Sequence, residues 1–202
     1  MNEFKIINNY FKTLTKKNSA AKKLNDDVFF DKKSGIVISV DTYNSNVHFI
    51  GFKYPEFIIK KIIRSSLSDL LSKGVTPKYY FLSGGGNKNT FTKINLSKIL
   101  KSLKEEQKKY SIKIGGGDTV YSKIPSFSVT VIGFSNKIIE RNNAKINDDI
   151  YVTGNLGDSF LGLKIMQNKI NAKRVQKKYF INKYYCPDLP FYFSKKLNSF
   201  AN

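Results

Sequence analysis

Apolar residues recur along the chain with two periods, and these set the expected elements. Phe4, Ile7, Phe11 and Leu14 fall three and four apart, which predicts a helix over residues 3–15. A lysine-rich polar loop follows. Ile-Val-Ile-Ser-Val at 36–40 is a short, mostly apolar strand ending at Asp41. Ile58, Ile59, Ile62, Ile63, Leu67, Leu70 and Leu71 form one broad apolar face between Pro55, suited to a helix start, and Gly74, suited to a helix end. Residues 78–82 read as a strand. Residues 95–109 read as an amphipathic helix through Leu96, Ile99, Leu100 and Leu103. Residues 111–114 and 126–133 are further strands, the second with Phe127, Val129 and Val131 on one face. Another strand is expected at 149–153, and Asp158 opens another helix. This mixed order predicts an α/β or α+β fold, a sheet with helices packed on it.

Composition narrows the setting. The chain has 202 residues, 41% of them hydrophobic, enough for one sizeable core or one domain and part of another. No apolar run approaches the ~20 residues of a membrane span, and the first ten residues have no signal-peptide pattern. The single cysteine, Cys186, cannot form an internal disulfide, which fits a reducing, cytoplasmic setting. A net charge of +20 allows a nucleic-acid, lipid or polyphosphate partner. Nearly all of that charge is lysine, however, and the arginines that read bases bidentately are only Arg64, Arg141 and Arg174. Lysine drift of exposed positions explains it more simply. A composition change at 141–149 marks a domain boundary, giving residues 1–145 and 146–202. The second stretch alone is marginal for a core.

Only 15 residues are acidic, so their placement carries information. Asp26 and Asp27 are adjacent, Asp41 ends a strand, Asp69 sits in Leu-Ser-Asp-Leu on the central helix, and Asp118 follows Gly115-Gly116-Gly117. Such carboxylates, converging from separate elements, suit a hard cation such as magnesium with nucleotide phosphate. Each also has a plain alternative: a solvated helix carboxylate, a turn or cap, or the brace of a glycine turn. The triple glycine before Asp118 lets backbone N–H groups approach a phosphate, yet no Walker A lysine follows. Ser83-Gly84-Gly85-Gly86-Asn87 reads as a flexible turn. His48 is the only histidine. No nucleophile elbow and no zinc ligand set is present.

In order and spacing these pieces resemble thiamine-monophosphate kinases, within the larger family of aminoimidazole ribonucleotide synthetase and selenophosphate synthetase. The resemblance runs through Asn25-Asp26-Asp27, Ser39-Val40-Asp41-Thr42 with His48-Phe49, Leu67-Ser68-Asp69-Leu70 with Gly74, and Gly116-Gly117-Asp118-Thr119. It continues through Arg141, Ala144-Lys145, Asp149-Ile150-Tyr151-Val152-Thr153-Gly154 and Leu156-Gly157-Asp158-Ser159, the most specific run. It implies an N-terminal domain of the aminoimidazole ribonucleotide synthetase-like fold, a homodimer whose sheets meet in a barrel, and an incomplete second α/β domain. It further implies that Asp27, Ser39, Asp41, Asp69 and Asp118 ligate several Mg2+ ions holding ATP. Gly117, Asp118 and Arg141 would line the nucleotide site, and His48 would contact thiamine monophosphate. The implied reaction moves the γ-phosphoryl of ATP onto that phosphate, giving thiamine diphosphate.

The sequence departs from the family pattern at Asn25, Val40 and Ser66, which stand for glycine, threonine and asparagine, and it ends before the family's Asp-x-Ser-Asp-Gly motif. Two other readings stay open: a related ATP-dependent synthetase, and a non-catalytic dimeric module that binds nucleotide or polyanion.

Overall fold

Residues 2–199 and 201 are described in the computed structural model of the chain. Five strands form one mixed sheet: β1 (Phe29–Asp31), β2 (Ile36–Asn44), β3 (Pro77–Gly86), β4 (Lys113–Tyr121) and β5 (Ser126–Phe134), in the spatial order β1-β2-β5-β3-β4. β1 and β2 make an antiparallel hairpin, turned at Gly35 with φ of +71°. β5 pairs antiparallel with both β2 and β3. β4 runs parallel to β3, so their connection needs a crossover, and the helix α3 (Lys93–Tyr110) provides it. The longest helices, α2 (Pro55–Ser72) and α3, lie on one face of the sheet.

The predicted central helix is α2, with Pro55 in its first turn and Gly74 at φ +71° just past its end. Its seven predicted apolar residues are all buried, against Val37, Tyr80, Val129 and Val131 from the sheet and residues from α3 and the C-terminal segment. Each such side chain contributes roughly 1.5–3 kcal/mol. Alternation in β2 and β5 sends Val37, Ser39 and Tyr43, and Phe127, Val129 and Val131, toward the helices.

Several expectations need correction. β3 does not stop at Leu82 but runs through Ser83-Gly84-Gly85-Gly86, so this segment is strand, not a flexible turn. Its glycines leave room for neighbours: a Cβ on Gly86 would lie 2.8 Å from the Phe91 ring, and one on Gly85 2.6 Å from Ser126 Oγ. β4 likewise continues through Gly115–Asp118 to Tyr121. A Cβ on Gly117 would sit 1.9 Å from the Leu82 carbonyl oxygen, so close strand packing by itself requires glycine there. Residues 149–153 form no strand. Ile150 and Tyr151 are fully exposed, and no described strand lies beside them to pair with. The helical run over 3–15 is present but broken into an α-turn (α1, Glu3–Ile6), a π-turn and a 3-10 turn, with Phe4, Phe11 and Leu14 exposed. On α3, Leu96 and Leu100 face solvent, and the buried positions are Ile99, Ser102, Glu106 and Tyr110.

Beyond the sheet, α4 (Asp158–Met166) and α5 (Arg174–Tyr185) pack together, and the short α6 (Phe191–Ser194) follows. Tyr184, Tyr185 and Phe191 join the same core as α2. Ser194 Oγ donates to the Leu71 carbonyl at 2.6 Å, and Asn198 Nδ2 to that of Gly74 at 3.2 Å. These bonds tie the C-terminal segment to the end of α2 and the turn after it.

One ion pair ties these layers together. Arg64 on α2 donates from Nε and one terminal nitrogen to both oxygens of Glu106 on α3, each at 2.8 Å, and from its other terminal nitrogen to the Pro187 carbonyl at 3.3 Å. Both side chains are buried. Burial alone would lower the Arg64 pKa, but the Glu106 carboxylate outweighs it and the guanidinium stays charged. Glu106→Gln leaves that charge without a counter-ion, and such losses cost about 3–5 kcal/mol. Urea unfolding of the variant is expected to show a loss of that size at unchanged m-value.

Candidate functional site

Near the C-terminal end of α2, carboxylates from three separate elements lie close enough to feel one another's charge. β2 supplies Ser39 and Asp41, two residues apart and therefore on the same face. α2 supplies Asp69, one turn before its end. The loop before β1 supplies Asp26 and Asp27. Ser39 Oγ, buried, donates to Asp69 Oδ2 at 2.5 Å. Tyr43 donates its hydroxyl to Asp41 Oδ2 at 2.9 Å and shares a 3.0 Å hydrogen bond with Ser66 Oγ. Burial raises the Tyr43 phenol far above its ordinary value, so it stays a neutral donor holding Asp41.

Two cations balance these acids. Lys73 Nζ lies 2.5 Å from Asp26 Oδ1 and 3.4 Å from Asp27 Oδ2. The Arg141 guanidinium pairs with Asp27, and the Arg141 backbone N–H donates to Asp26 Oδ2 at 3.1 Å. Burial raises the Asp26 carboxyl, but Lys73 and the Arg141 N–H more than offset this and hold it below its ordinary range. Asp69 behaves oppositely. Burial pushes its carboxyl up to about 6; the Ser39 hydrogen bond and Lys73 oppose this, while the Asp41 and Asp27 charges add to it. The donors are all oxygens, the set a hard cation takes. Their mutual repulsion at Asp69 is what a bound cation would relieve. Among the described residues no three His, Cys, Asp or Glu side chains already close around one point.

The other predicted residues lie around this group. His48 sits in the turn after β2, its Nδ1 accepting the Asn44 backbone N–H at 3.0 Å, which leaves Nε2 as the protonated, exposed nitrogen. Its ring meets Tyr43 edge-on at 5.8 Å. Phe49 next to it is buried in the core and anchors the turn. Tyr184 of α5 donates to the His48 carbonyl at 3.3 Å. Gly117 and Asp118 lie on β4, the edge strand, with Asp118 exposed and its Oδ1 accepting the Thr119 N–H at 2.7 Å. Across the register Asp41 faces Val129, Val129 faces Leu82 and Leu82 faces Gly117. Three strand spacings therefore separate Asp41 from the Asp118 region, about 14 Å. Val40 points to the sheet's open face, away from Ser39 and Asp41. Sequence reasoning missed Lys73, Tyr43 and Ser66 as members of the group. For Tyr43 the signal was its position two residues beyond Asp41 on one strand.

The raised Asp69 pKa fixes a sign for stability. Between the ordinary value of 3.8 and about 6, the folded chain holds a proton on Asp69 that the unfolded chain has released. Stability from this group therefore falls as pH rises through that window, and the penalty is complete above pH 6. In metal-free buffer, Asp69→Asn is expected to be stabilised relative to the parent by about 1–2 kcal/mol at pH 7.5, a figure reduced for partial solvent screening. The gain should shrink toward pH 4.5, as read by chemical denaturation at both pH values.

The chain is similar to known proteins in sequence and in fold. The family model of AIR synthase related protein, N-terminal domain, matches residues 24–135. The chain is 35% identical over 192 residues to thiamine-monophosphate kinase of Buchnera aphidicola subsp. Acyrthosiphon pisum (strain APS), covering 92% of this chain and 58% of the relative. It is 30% identical over 197 residues to thiamine-monophosphate kinase of Bacillus subtilis (strain 168), covering 93% and 60%. Among solved structures, thiamine monophosphate kinase from Aquifex aeolicus superposes with a TM-score of 0.84 at 23% identity, covering 97% of this chain and 63% of that one. AaThiL complexed with AMPPCP and TMP superposes at 0.88 and 24% identity, covering 99% and 63%. At these identities the structural likeness carries the fold. The chain spans about three fifths of the length of the curated relatives it matches. From residue 24 to residue 135 it carries the N-terminal domain of the AIR synthase related proteins, and it belongs to that family.

Proposed function

We propose that this chain is part of a thiamine-monophosphate kinase, which moves the γ-phosphoryl of ATP onto thiamine monophosphate to give thiamine diphosphate. The single observation that carries the reading is the oxygen-donor group of Ser39, Asp41 and Asp69, with Asp27 beside it, in a fold whose sequence relatives are thiamine-monophosphate kinases. In this reading Asp27, Ser39, Asp41, Asp69 and Asp118 hold Mg2+, and Arg141 with Gly117 and Asp118 lines the nucleotide. Bound Mg2+ would neutralise phosphate charge during transfer. The chain's own residues then position and orient. Tyr43 fixes Asp41, Ser39 fixes Asp69, and His48 offers its Nε2–H to the anionic acceptor. Arg141 exchanges Asp27 for phosphate. Phosphoryl transfer asks for alignment and charge stabilisation more than for a protein nucleophile, and none is assigned.

Residues 1–145 are proposed as the nucleotide-binding and dimerisation domain, and 146–202 as the beginning of a second. The sheet's open face supports a homodimer: Val40 and Phe81 are exposed there, beside Ile38 and Ile132. A cytoplasmic setting goes with the reading; no helix among the described residues is long and apolar enough to cross a membrane.

The test of activity is chromatography of thiamine diphosphate after incubating the complete protein that carries this chain with ATP, MgCl2 and thiamine monophosphate. Magnesium-dependent product is expected, reduced about 100-fold or more in Asp41→Asn. ATP bound and no thiamine diphosphate formed overturns the acceptor assignment, and turnover of another acceptor would favour a related synthetase. Light scattering on a sizing column tests the dimer. The parent is expected at twice the chain mass and Val40→Lys at the chain mass, because an unpaired ammonium at the centre of an apolar contact is not tolerated.

A further inference from the structure

Lys73 is the most enclosed lysine near the acidic group, with 4% of its surface exposed. Lysine is rarely buried unless paired. Here the pairing is double, to Asp26 at 2.5 Å and to Asp27 at 3.4 Å, and the Asp26 carboxylate is buried with it. The backbone fixes where this ammonium begins. Lys73 is the C-cap of α2, its N–H donating to the Leu70 and Leu71 carbonyls, and Gly74 turns the chain immediately after it. A cation is favoured at a helix C-terminus. Asp69, one turn back on the same helix, also feels the Lys73 charge. Arg141, the other cation on Asp27, is half exposed and can swing away. Lys73 has no such freedom.

We propose that Lys73 is a resident cation of the acidic group, holding beside Asp26 and Asp27 a place that a divalent ion would otherwise take. A lysine ammonium is a compact point charge, the side chain nearest in character to a small metal ion. The inference rests on the reading that Asp27, Asp41 and Asp69 hold divalent ions. Its consequence is that Lys73 weakens and limits ion binding at Asp27, leaving the ions on the Asp41–Asp69 side to be set by the nucleotide. Lys73 is thus a positioning residue. A purely structural lysine would have the opposite sign on removal, since loosening the loop that carries Asp27 would weaken ion binding.

Mn2+ titrations of the whole chain, without nucleotide and read by the loss of the free-ion electron paramagnetic resonance signal, separate the two. Lys73→Met is expected to bind Mn2+ about tenfold more tightly than the parent, or to take up one ion more. Lys73→Arg, which keeps the charge, is expected to stay near the parent. Because Lys73→Met strands the buried Asp26 charge, Asp26→Asn/Lys73→Met serves as the second variant and is expected to show the same tightening. Equal or weaker Mn2+ binding in the folded Met variants, with parental binding still abolished by Asp41→Asn, overturns the role of Lys73 alone. No Mn2+ binding by parent or variants overturns it together with the metal reading.

Discussion

Everything in this chain is arranged around the burial of α2. Its apolar residues are shielded by the sheet on one side and by α3, α5 and α6 on the other, so the helix has almost no solvent face along its middle. A helix so enclosed fixes rotation and depth together, because turning it would expose isoleucine and leucine. That constraint is what gives the polar residues on α2 defined places. Arg64 meets Glu106 and the Pro187 carbonyl; Ser66 meets Tyr43; Asp69 meets Ser39; Lys73 meets Asp26 and Asp27. The acidic group is therefore an edge of the core, with its geometry inherited from packing.

The electrostatics of that edge differ from those of the molecule. A chain of net charge +20 gathers four of its aspartates in one corner. Two of them are answered by Lys73 and Arg141, and the Asp26 carboxyl is held ionised. Asp69 is not answered in this way, and burial with its acidic neighbours drives it toward protonation. The corner is thus partly balanced and partly strained, and the strained half faces the Ser39 and Asp41 side. In the proposed reading a cation brought with nucleotide phosphate would meet its oxygens there, and the lysine-rich surface would favour the approach of anions.

Much of this was legible from the sequence because it depended on local pattern. The period of α2 and its Pro55 and Gly74 ends, the Phe127, Val129 and Val131 face of β5, and the placement of Asp69 on α2 follow from spacing alone, whereas β2 runs past the expected end at Asp41 to Asn44. What was not legible depended on packing. Gly84–Gly86 and Gly115–Gly117 look like loops, yet they are strand because neighbouring side chains and the Leu82 carbonyl fill the space a Cβ would need. Residues 149–153 carry strand propensity but lack a paired neighbour, and propensity alone does not make a sheet. Lys73 was invisible as a site residue because a lysine in a lysine-rich chain carries no signal until its burial is known. Arg64 and Glu106 were hidden for a similar reason, since their pairing crosses two helices.

The central claim is that Ser39, Asp41 and Asp69 form one cation site at the end of α2. Anomalous diffraction from crystals grown with Mn2+ and a non-hydrolysable ATP analogue addresses it most directly. A manganese peak within coordination distance of Asp41 and Asp69, with nucleotide phosphate on its far side, is the predicted result. Manganese peaks confined to other carboxylates, with Ser39 still donating to Asp69 as it does here, would contradict the account.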